Sequence, residues 1–261
     1  MKTRQVLTLV LAAAALATGS GYAQETTQPN PLLTRPGLEI GAQVAKYRYE
    51  EPDFMNLKGN RAGAVGAYTF TDARRVYSRI DLRASYGKLK YEGSGTLDDV
   101  PDWIIEARAV IGKDFLVGDN VALSPYIGLG YRYLYNDLRG YSSTGAIGYR
   151  RYSQYAYAPI GLTLRMGTGG EWVFAPTVEY DAFLGGRQRS MLSDVAPGAP
   201  DISNDQDSGR GYRVSLMAEG RHWAFGPWLH YWSIKVSDIQ FGFVEPANWT
   251  REYGVELRYR F

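Results

Sequence analysis

Two histidines, His222 and His230, are the side chains of this chain best suited to transfer protons near neutral pH. A catalytic histidine needs a carboxylate to orient it, and Glu179 or Asp181 could supply one to His230. The chain has no cysteine, which excludes thiolate catalysis, disulfides and cysteine-ligated metals. Two histidines without cysteine give no recognisable metal-ligand spacing. We therefore interpret His230 as a hydrogen-bonded structural residue and expect no catalytic residue, metal or cofactor.

Arginine and carboxylate side chains recur at every second position in several segments. Arg79, Asp81 and Arg83, for example, alternate with Ile80 and Leu82. A period of two puts alternate residues on opposite faces of a β-strand. The charged face requires water, whereas the apolar face suits lipid. The pattern predicts strands that separate a polar interior from a membrane.

The last segment of the chain shows the same alternation and ends on an aromatic residue. Apolar side chains occupy every second position from Tyr253 to Phe261, with Glu256, Arg258 and Arg260 among the residues between them. This segment resembles the closing strand of bacterial outer-membrane β-barrel proteins. The resemblance implies that Tyr259 and Phe261 belong to the signal read by the barrel assembly machinery. It also implies a Gram-negative outer-membrane location with both chain termini in the periplasm.

The first residues are typical of a secretory signal peptide. Lys2 and Arg4 precede an apolar stretch over 6–17, and small residues including Ala23 follow it. The apolar stretch is too short to span a membrane as a helix. We expect cleavage after Ala23, so that residues 1–23 are the signal peptide. Residues 24–37 then form a periplasmic N-terminal lead-in, and residues 38–261 form the barrel.

The whole pattern predicts an all-β fold, a closed antiparallel up-and-down transmembrane β-barrel of about 10 strands, with 8 or 12 as alternatives. The predicted strands cover residues 38–49, 60–71, 75–91, 101–112, 120–136, 149–166, 171–185, 210–221, 225–237 and 249–261. Short turns alternate with longer connections, as in bacterial barrels with long external loops. The longer connections are expected at residues 50–59, 92–100, 136–148, 185–209 and 236–248.

A barrel of about ten strands encloses a bore only slightly wider than one that side chains fill. Opposite charges in so narrow a lumen are expected to pair, because an unpaired buried charge costs several kcal/mol. We predict a lumen closed by ion pairs, although a narrow porin-like conduit for ions or small solutes remains an alternative. The lumen-lining candidates are Arg79, Asp81, Arg83, Glu106, Arg108, Arg132, Glu179, Asp181, Arg213 and Glu219.

Some barrels of this size are enzymes, and two such families serve as comparisons. The chain resembles the omptin proteases in size and strand number, but their pattern requires an Asp two residues before a His. Gly220 and Trp228 occupy those positions here. Lipid A deacylase barrels require a Ser two residues after a His, where this chain has Ala224 and Trp232. Both catalytic patterns are missing.

These features favour a non-enzymatic outer-membrane barrel whose surface loops bind, adhere or support the envelope; the alternatives are the narrow conduit and, third, a barrel enzyme. Outer-membrane lipid and lipopolysaccharide are the expected partners, and basic residues beside the longest loop, residues 186–209, could contact lipopolysaccharide phosphates: Arg187, Arg189 and Arg210. The formal net charge of +2 gives no basic excess for nucleic-acid binding, and we expect a monomer.

Overall fold

A computed structural model describes residues 30–196 and 198–261 of the chain. Within that part, no helix is long and apolar enough to cross a membrane. The predicted signal peptide with Ala23, and the lead-in as far as residue 29, lie outside the described residues. These two predictions therefore stay predictions.

The described chain consists of β-strands joined by turns and one short 3-10 helix. In chain order the strands are β1 Gly37–Glu51, β2 Met55–Thr71, β3 Val76–Gly93, β4 Gly95–Lys113, β5 Phe115–Leu116, β6 Val121–Tyr141, β7 Ile147–Gly167, β8 Val173–Ser190, β9 Ile202–Gln206, β10 Gly209–Glu219, β11 Trp223–Ile234, β12 Ile239–Gln240, β13 Phe243–Val244 and β14 Asn248–Arg260. The 3-10 helix spans Leu192–Asp194.

Ten of these strands close into a single antiparallel barrel. Around the ring they follow the order β1, β2, β3, β4, β6, β7, β8, β10, β11 and β14. The last strand pairs with the first, with Glu39 opposite Arg260. The predicted fold class, an all-β up-and-down barrel of ten strands, is therefore confirmed, and the alternatives of 8 and 12 strands are wrong.

The barrel has two unlike ends, which we name the termini end and the distal end. The termini end holds the start of β1 and the end of β14, and its connections are short turns. At the distal end, β1 and β2 are joined by only Pro52, Asp53 and Phe54. The two longer distal excursions are residues 191–208, which contain β9, and residues 235–247, which contain the β12–β13 hairpin.

Three of the predicted long loops are wrong. Residues 50–59, 92–100 and 136–148 lie mostly in strands, because β2 and β4 begin earlier and β6 ends later than expected, each by five or six residues. The predicted loop at 186–209 is also partly strand, because β9 pairs with the distal part of β8. The error has a physical cause: the alternation persists in these segments, but the two faces exchange polarity.

Strand β1 shows this exchange of polarity. Near the termini end, Ile40 and Val44 point outward and are exposed, while Glu39 points inward and is buried. Nearer the distal end, Tyr47 is buried inside and Arg48 lies outside. Strand β3 shows the same exchange, with Leu82 outside near the termini end and Leu89 buried inside near the distal end. The outward apolar belt fits a hydrocarbon layer, and the distal half fits water.

The distal half therefore has a hydrophobic core inside the barrel, which we call the distal core. Aromatic packing within it includes an edge contact between Tyr157 and Trp232, with ring centroids 5.1 Å apart. Its buried members are Tyr47, Tyr49, Leu57, Leu89, Val100, Ile104, Leu134, Leu138, Tyr155, Tyr157, Trp232 and Ile234. This core occupies the bore where an open channel would need water.

One apolar residue from each of six barrel strands lies on the outward face and is 38–56% exposed: Leu82, Ile105, Leu129, Leu162, Val178 and Leu216. Since a shift of one residue would have turned each of them inward, the structure fixes the inside–outside register of their strands.

Candidate functional site

Charged side chains fill the barrel interior within the apolar belt, and they begin near the termini end around Glu39. This carboxylate accepts hydrogen bonds from Arg79 at 2.7 Å and from Arg260 at 3.0 Å. Arg258 lies 3.3 Å from the same group. Glu219 is held in a similar way, 3.4 Å from Arg165 and 3.6 Å from Arg260. The strands that begin and end the barrel are thus joined by charge as well as by backbone pairing.

A second group of ion pairs crosses between β3, β4 and β8. Asp81 lies 2.8 Å from Arg79 and 3.2 Å from Arg108. Arg108 also donates to Glu179 at 2.6 Å, and Tyr126 donates to the same carboxylate at 2.7 Å. Each arginine here contacts two carboxylates, so the charges are compensated along a chain of contacts.

Arg213 on β10 bridges the bore. It donates to Asp181 at 2.7 Å, lies 3.0 Å from Glu179, and pairs with Glu106 on β4. Tyr157 donates to Glu106 at 2.6 Å and accepts from Arg213 at 2.9 Å. Strands β4 and β10 are four steps apart around the ring of ten, so these contacts span the interior.

Arg83 on β3 meets His230 on the far side of the barrel. Its guanidinium pairs with Glu252 and lies 3.6 Å from Glu106. It also lies 2.5 Å from Nδ1 of His230. Because a guanidinium only donates hydrogen bonds, Nδ1 of His230 must accept. The His230 ring packs on Trp228, with centroids 4.5 Å apart.

The expectation that Glu179 or Asp181 could orient His230 is wrong. These carboxylates contact Arg108 and Arg213, and the described contacts of the His230 ring are those with Arg83 and Trp228. The other histidine, His222, is exposed in the turn before β11 and stacks on Tyr259 at a centroid distance of 5.9 Å. The described residues also contain no group of three or more His, Asp or Glu that could hold a metal ion.

Arg132 is the one predicted lumen residue for which the described part of the chain shows no ion pair within 4.0 Å. Its side chain is buried, and its three guanidinium nitrogens have no hydrogen-bond partner among the described residues. The guanidinium carbon lies 5.7 Å from the ring centre of Trp232. Arg132 therefore lies where the charged interior meets the distal core. The other nine predicted lumen residues all take part in ion pairs.

Several charged residues of the interior were not among those predicted from the sequence. Glu39 and Glu252 take part in the pairs described above, and Asp102 accepts from both Arg61 and Asn136. Each lies at an inward position of a strand that was predicted, so the period of two could have found them.

A third cluster lies at the distal end, outside the belt. Arg151 on β7 donates to Glu51 at the end of β1 and to Glu245 in the 235–247 excursion. Tyr49 donates to Glu51 at 2.6 Å. Burial raises the pKa of Glu245 to about 7; Arg151 acts against this rise and the neighbouring Glu51 carboxylate adds to it. The sequence pattern did not predict this cluster, because residues 51 and 245 fall in predicted loops.

Neither a protein-family model nor a curated protein sequence matches this chain. Among solved structures, it is similar to the outer membrane protease OmpT from Escherichia coli, with 13% identity, a TM-score of 0.57, and 86% of this chain and 96% of that chain covered. The β domain of the Bordetella autotransporter BrkA gives 10% identity and a TM-score of 0.46 over 86% and 100% of the two chains. Ail of Yersinia pestis gives 11% and 0.34 over 87% and 100%.

At such low identity the likeness to OmpT shows the fold alone, and the two weaker likenesses carry no argument about this chain. The closed ring of ten strands, the outward apolar belt and this likeness together define the class of the molecule. The chain has the fold of the bacterial outer-membrane β-barrel proteins.

Proposed function

We propose that this protein is a non-enzymatic, non-conducting outer-membrane barrel that anchors a binding surface at its distal end. The observation that carries the proposal is the filled bore. Arg213 and Glu106 join opposite sides of the charged interior, and the distal core lies beyond them. A permeating ion would have to displace both paired charges and packed apolar side chains.

The cavities inside the charged interior support this proposal. One, of about 110 Å³, lies among Asp81, Arg108 and Arg213. Another, of about 140 Å³, lies among Arg79, Arg165 and Arg260. Each has room for a few water molecules. Paired arginines line both cavities, which favours hydrated ion pairs over a path for solutes.

The distal end is the part best suited to meet a partner. It projects beyond the apolar belt and carries both longer excursions. Its outward face includes Arg189 and Arg210, which are exposed and could contact lipopolysaccharide phosphates. Arg187, the third basic residue expected in that role, lies 2.8 Å from Asp205. Outer-membrane lipid and lipopolysaccharide, together with the assembly machinery during biogenesis, are the partners we propose, with the distal end outside the cell.

Single-channel recording of the purified full chain in planar bilayers tests the closed lumen. We expect no steady conductance over a range of voltages that leaves the membrane intact. A known open porin inserted under the same conditions serves as the control for successful recording. A reproducible, ion-selective conductance of the wild-type chain would contradict the proposal and favour the narrow conduit.

A further inference from the structure

A cavity of about 440 Å³ lies at the distal mouth of the barrel, separate from the lumenal ion pairs. Phe54 and Phe243 stand exposed at its rim. Its wall is largely apolar and includes Met55, Leu97, Leu138, Ile147, Ile202 and Val244. A volume of this size is within the range of small-molecule sites, which are mostly apolar with a few polar groups that fix orientation.

The charges on the cavity wall are not balanced. Among the described residues that line it, three are charged: Glu51, Arg151 and Glu245. All three side chains are at least nine-tenths buried. Arg151 contacts both carboxylates, and Tyr49 donates to Glu51 from below. Two carboxylates against one guanidinium leave one negative charge when both are ionised.

A buried negative charge without a partner is costly, so the cavity must gain a proton or a cation. The raised pKa of Glu245, about 7, shows that a proton can fill this role near neutral pH. A ligand amine offers the same compensation without taking the carboxylate out of its contact with Arg151. An anionic ligand would instead add a third negative charge to a site with a single arginine.

We propose that the distal cavity binds a small amphipathic amine, whose apolar body packs against the cavity wall and whose single cationic head pairs with Glu245. The idea rests on the proposal that the distal end is the binding surface, and it names the chemical class of what is bound. Conductance and ligand binding are measured separately, so a failure of one does not imply a failure of the other.

The first test compares three probes that share a rigid apolar cage and differ in charge: 1-aminoadamantane, 1-adamantanol and adamantane-1-carboxylate. Their affinities are measured by calorimetry on the full chain in lipid nanodiscs, with empty nanodiscs as the blank. We expect the amine to bind at least about tenfold more tightly than the alcohol, with the carboxylate weakest. Equal binding of amine and alcohol, or no binding of the amine at millimolar concentration, would overturn the proposal.

The second test changes pH and Glu245. Because a proton and the amine compete for Glu245, affinity for the amine should rise about tenfold or more from pH 5.5 to pH 8. Glu245→Gln should abolish this rise and weaken amine binding about tenfold, with little effect on the alcohol. Glu50→Gln is the matched control, since Glu50 is the neighbour of Glu51 on the outward face and pairs with Arg48. An unchanged amine affinity in Glu245→Gln would show that the site is elsewhere.

The third test fills the cavity. Ala146 lies on its wall, and Ala146→Trp should abolish binding of all the probes. Val236→Trp, at an exposed distal position that does not line the cavity, should leave binding within about twofold. Heat-modifiable migration of each variant shows that its barrel is folded. Probe binding that survives Ala146→Trp in a folded barrel would also overturn the proposal.

Discussion

Arg213 is the residue on which most of the central ion pairs depend. It contacts three carboxylates, Glu106, Glu179 and Asp181, which come from two different strands. A buried ion pair adds little net stability compared with apolar packing, but removing one partner leaves the others buried and uncompensated. Loss of Arg213 would therefore leave buried carboxylates without full charge compensation.

Replacing Arg213 with Ala should destabilise the barrel by about 3–5 kcal/mol, because its carboxylate partners lose a shared cation. The free energy of unfolding is measured by urea titration in lipid vesicles. Arg210→Ala on the same strand, at an exposed position, should change stability by less than about 0.5 kcal/mol. A loss of less than about 1 kcal/mol for Arg213→Ala would mean that the neighbouring arginines take over its role.

The pKa of Glu245 predicts a pH dependence of stability. Its folded-state pKa of about 7 lies above its ordinary value, so the folded protein binds a proton more tightly than the unfolded chain. The stability that protonation of Glu245 contributes is fully present below about pH 4.5 and is lost as pH rises through about 7. The free energy of unfolding should therefore fall by up to about 3 kcal/mol over this window. Comparing urea unfolding of the wild type and Glu245→Gln across this window isolates the effect. Parallel pH profiles for the two proteins would show that Glu245 does not cause the pH dependence of stability.

At the scale of the strand, the exchange of faces explains where sequence reasoning succeeded and where it failed. Ile80, Leu82 and Arg83 fixed the register of β3 correctly, because an outward apolar row beside inward charges is typical of membrane strands. Beyond Tyr86 the outward row becomes Lys88, and the inward row becomes apolar. The predicted strand still ran to residue 91, close to the observed end at Gly93, whereas the distal ends of β2, β4 and β6 were assigned to loops although the period of two continued there.

The position of an outward residue relative to the apolar belt should decide how much an introduced charge destabilises the barrel. Leu82 lies within the apolar belt and is 56% exposed, and Tyr86 lies four residues closer to the distal end on the same face. Leu82→Arg should cost about 2–4 kcal/mol, whereas Tyr86→Arg should cost about 0–1 kcal/mol. Unfolding in bilayers measures both. Equal costs would show that the belt is placed wrongly along β3.

The closing strand provides a prediction about assembly. Phe261 donates its backbone N–H to Leu38 at 2.9 Å, and its ring meets Tyr259 at a centroid distance of 4.9 Å. We propose that this aromatic pair is read by the barrel assembly machinery during insertion. Phe261→Ala should sharply reduce the heat-modifiable protein recovered from the outer membrane. Phe70→Ala, an exposed aromatic elsewhere on the outward face, should not. Normal recovery of Phe261→Ala would show that Phe261 is not needed for assembly.

At the scale of the whole molecule, fold class and strand number followed from local patterns because each barrel strand repeats the same simple alternation. The contacts across the bore did not follow from these local patterns. Which carboxylate Arg213 reaches depends on strands up to four steps away, and the sequence carries no signal for that distance. The distal cavity was missed for the same reason, since Glu51, Arg151 and Glu245 come together only after the barrel closes.

The closed lumen predicts how the molecule responds when its charges are neutralised together. Asp81→Asn with Glu106→Gln removes one carboxylate partner from each of Arg79, Arg108 and Arg213. Since these guanidinium groups would remain buried and less compensated, we expect the barrel to lose several kcal/mol of stability. Its conductance in planar bilayers should stay small, because the distal core still fills the bore.

A matched double variant, Asp53→Asn with Glu92→Gln, neutralises two distal residues outside the lumen and should change neither stability nor conductance appreciably. Binding of 1-aminoadamantane at the distal cavity should also survive the lumenal double variant if it folds, since Glu245 and Arg151 are untouched. The closed lumen would be contradicted by a large, steady conductance whose ion selectivity shifts when Asp81 and Glu106 are neutralised. That outcome would make the lumen a gated conduit and the distal core its gate.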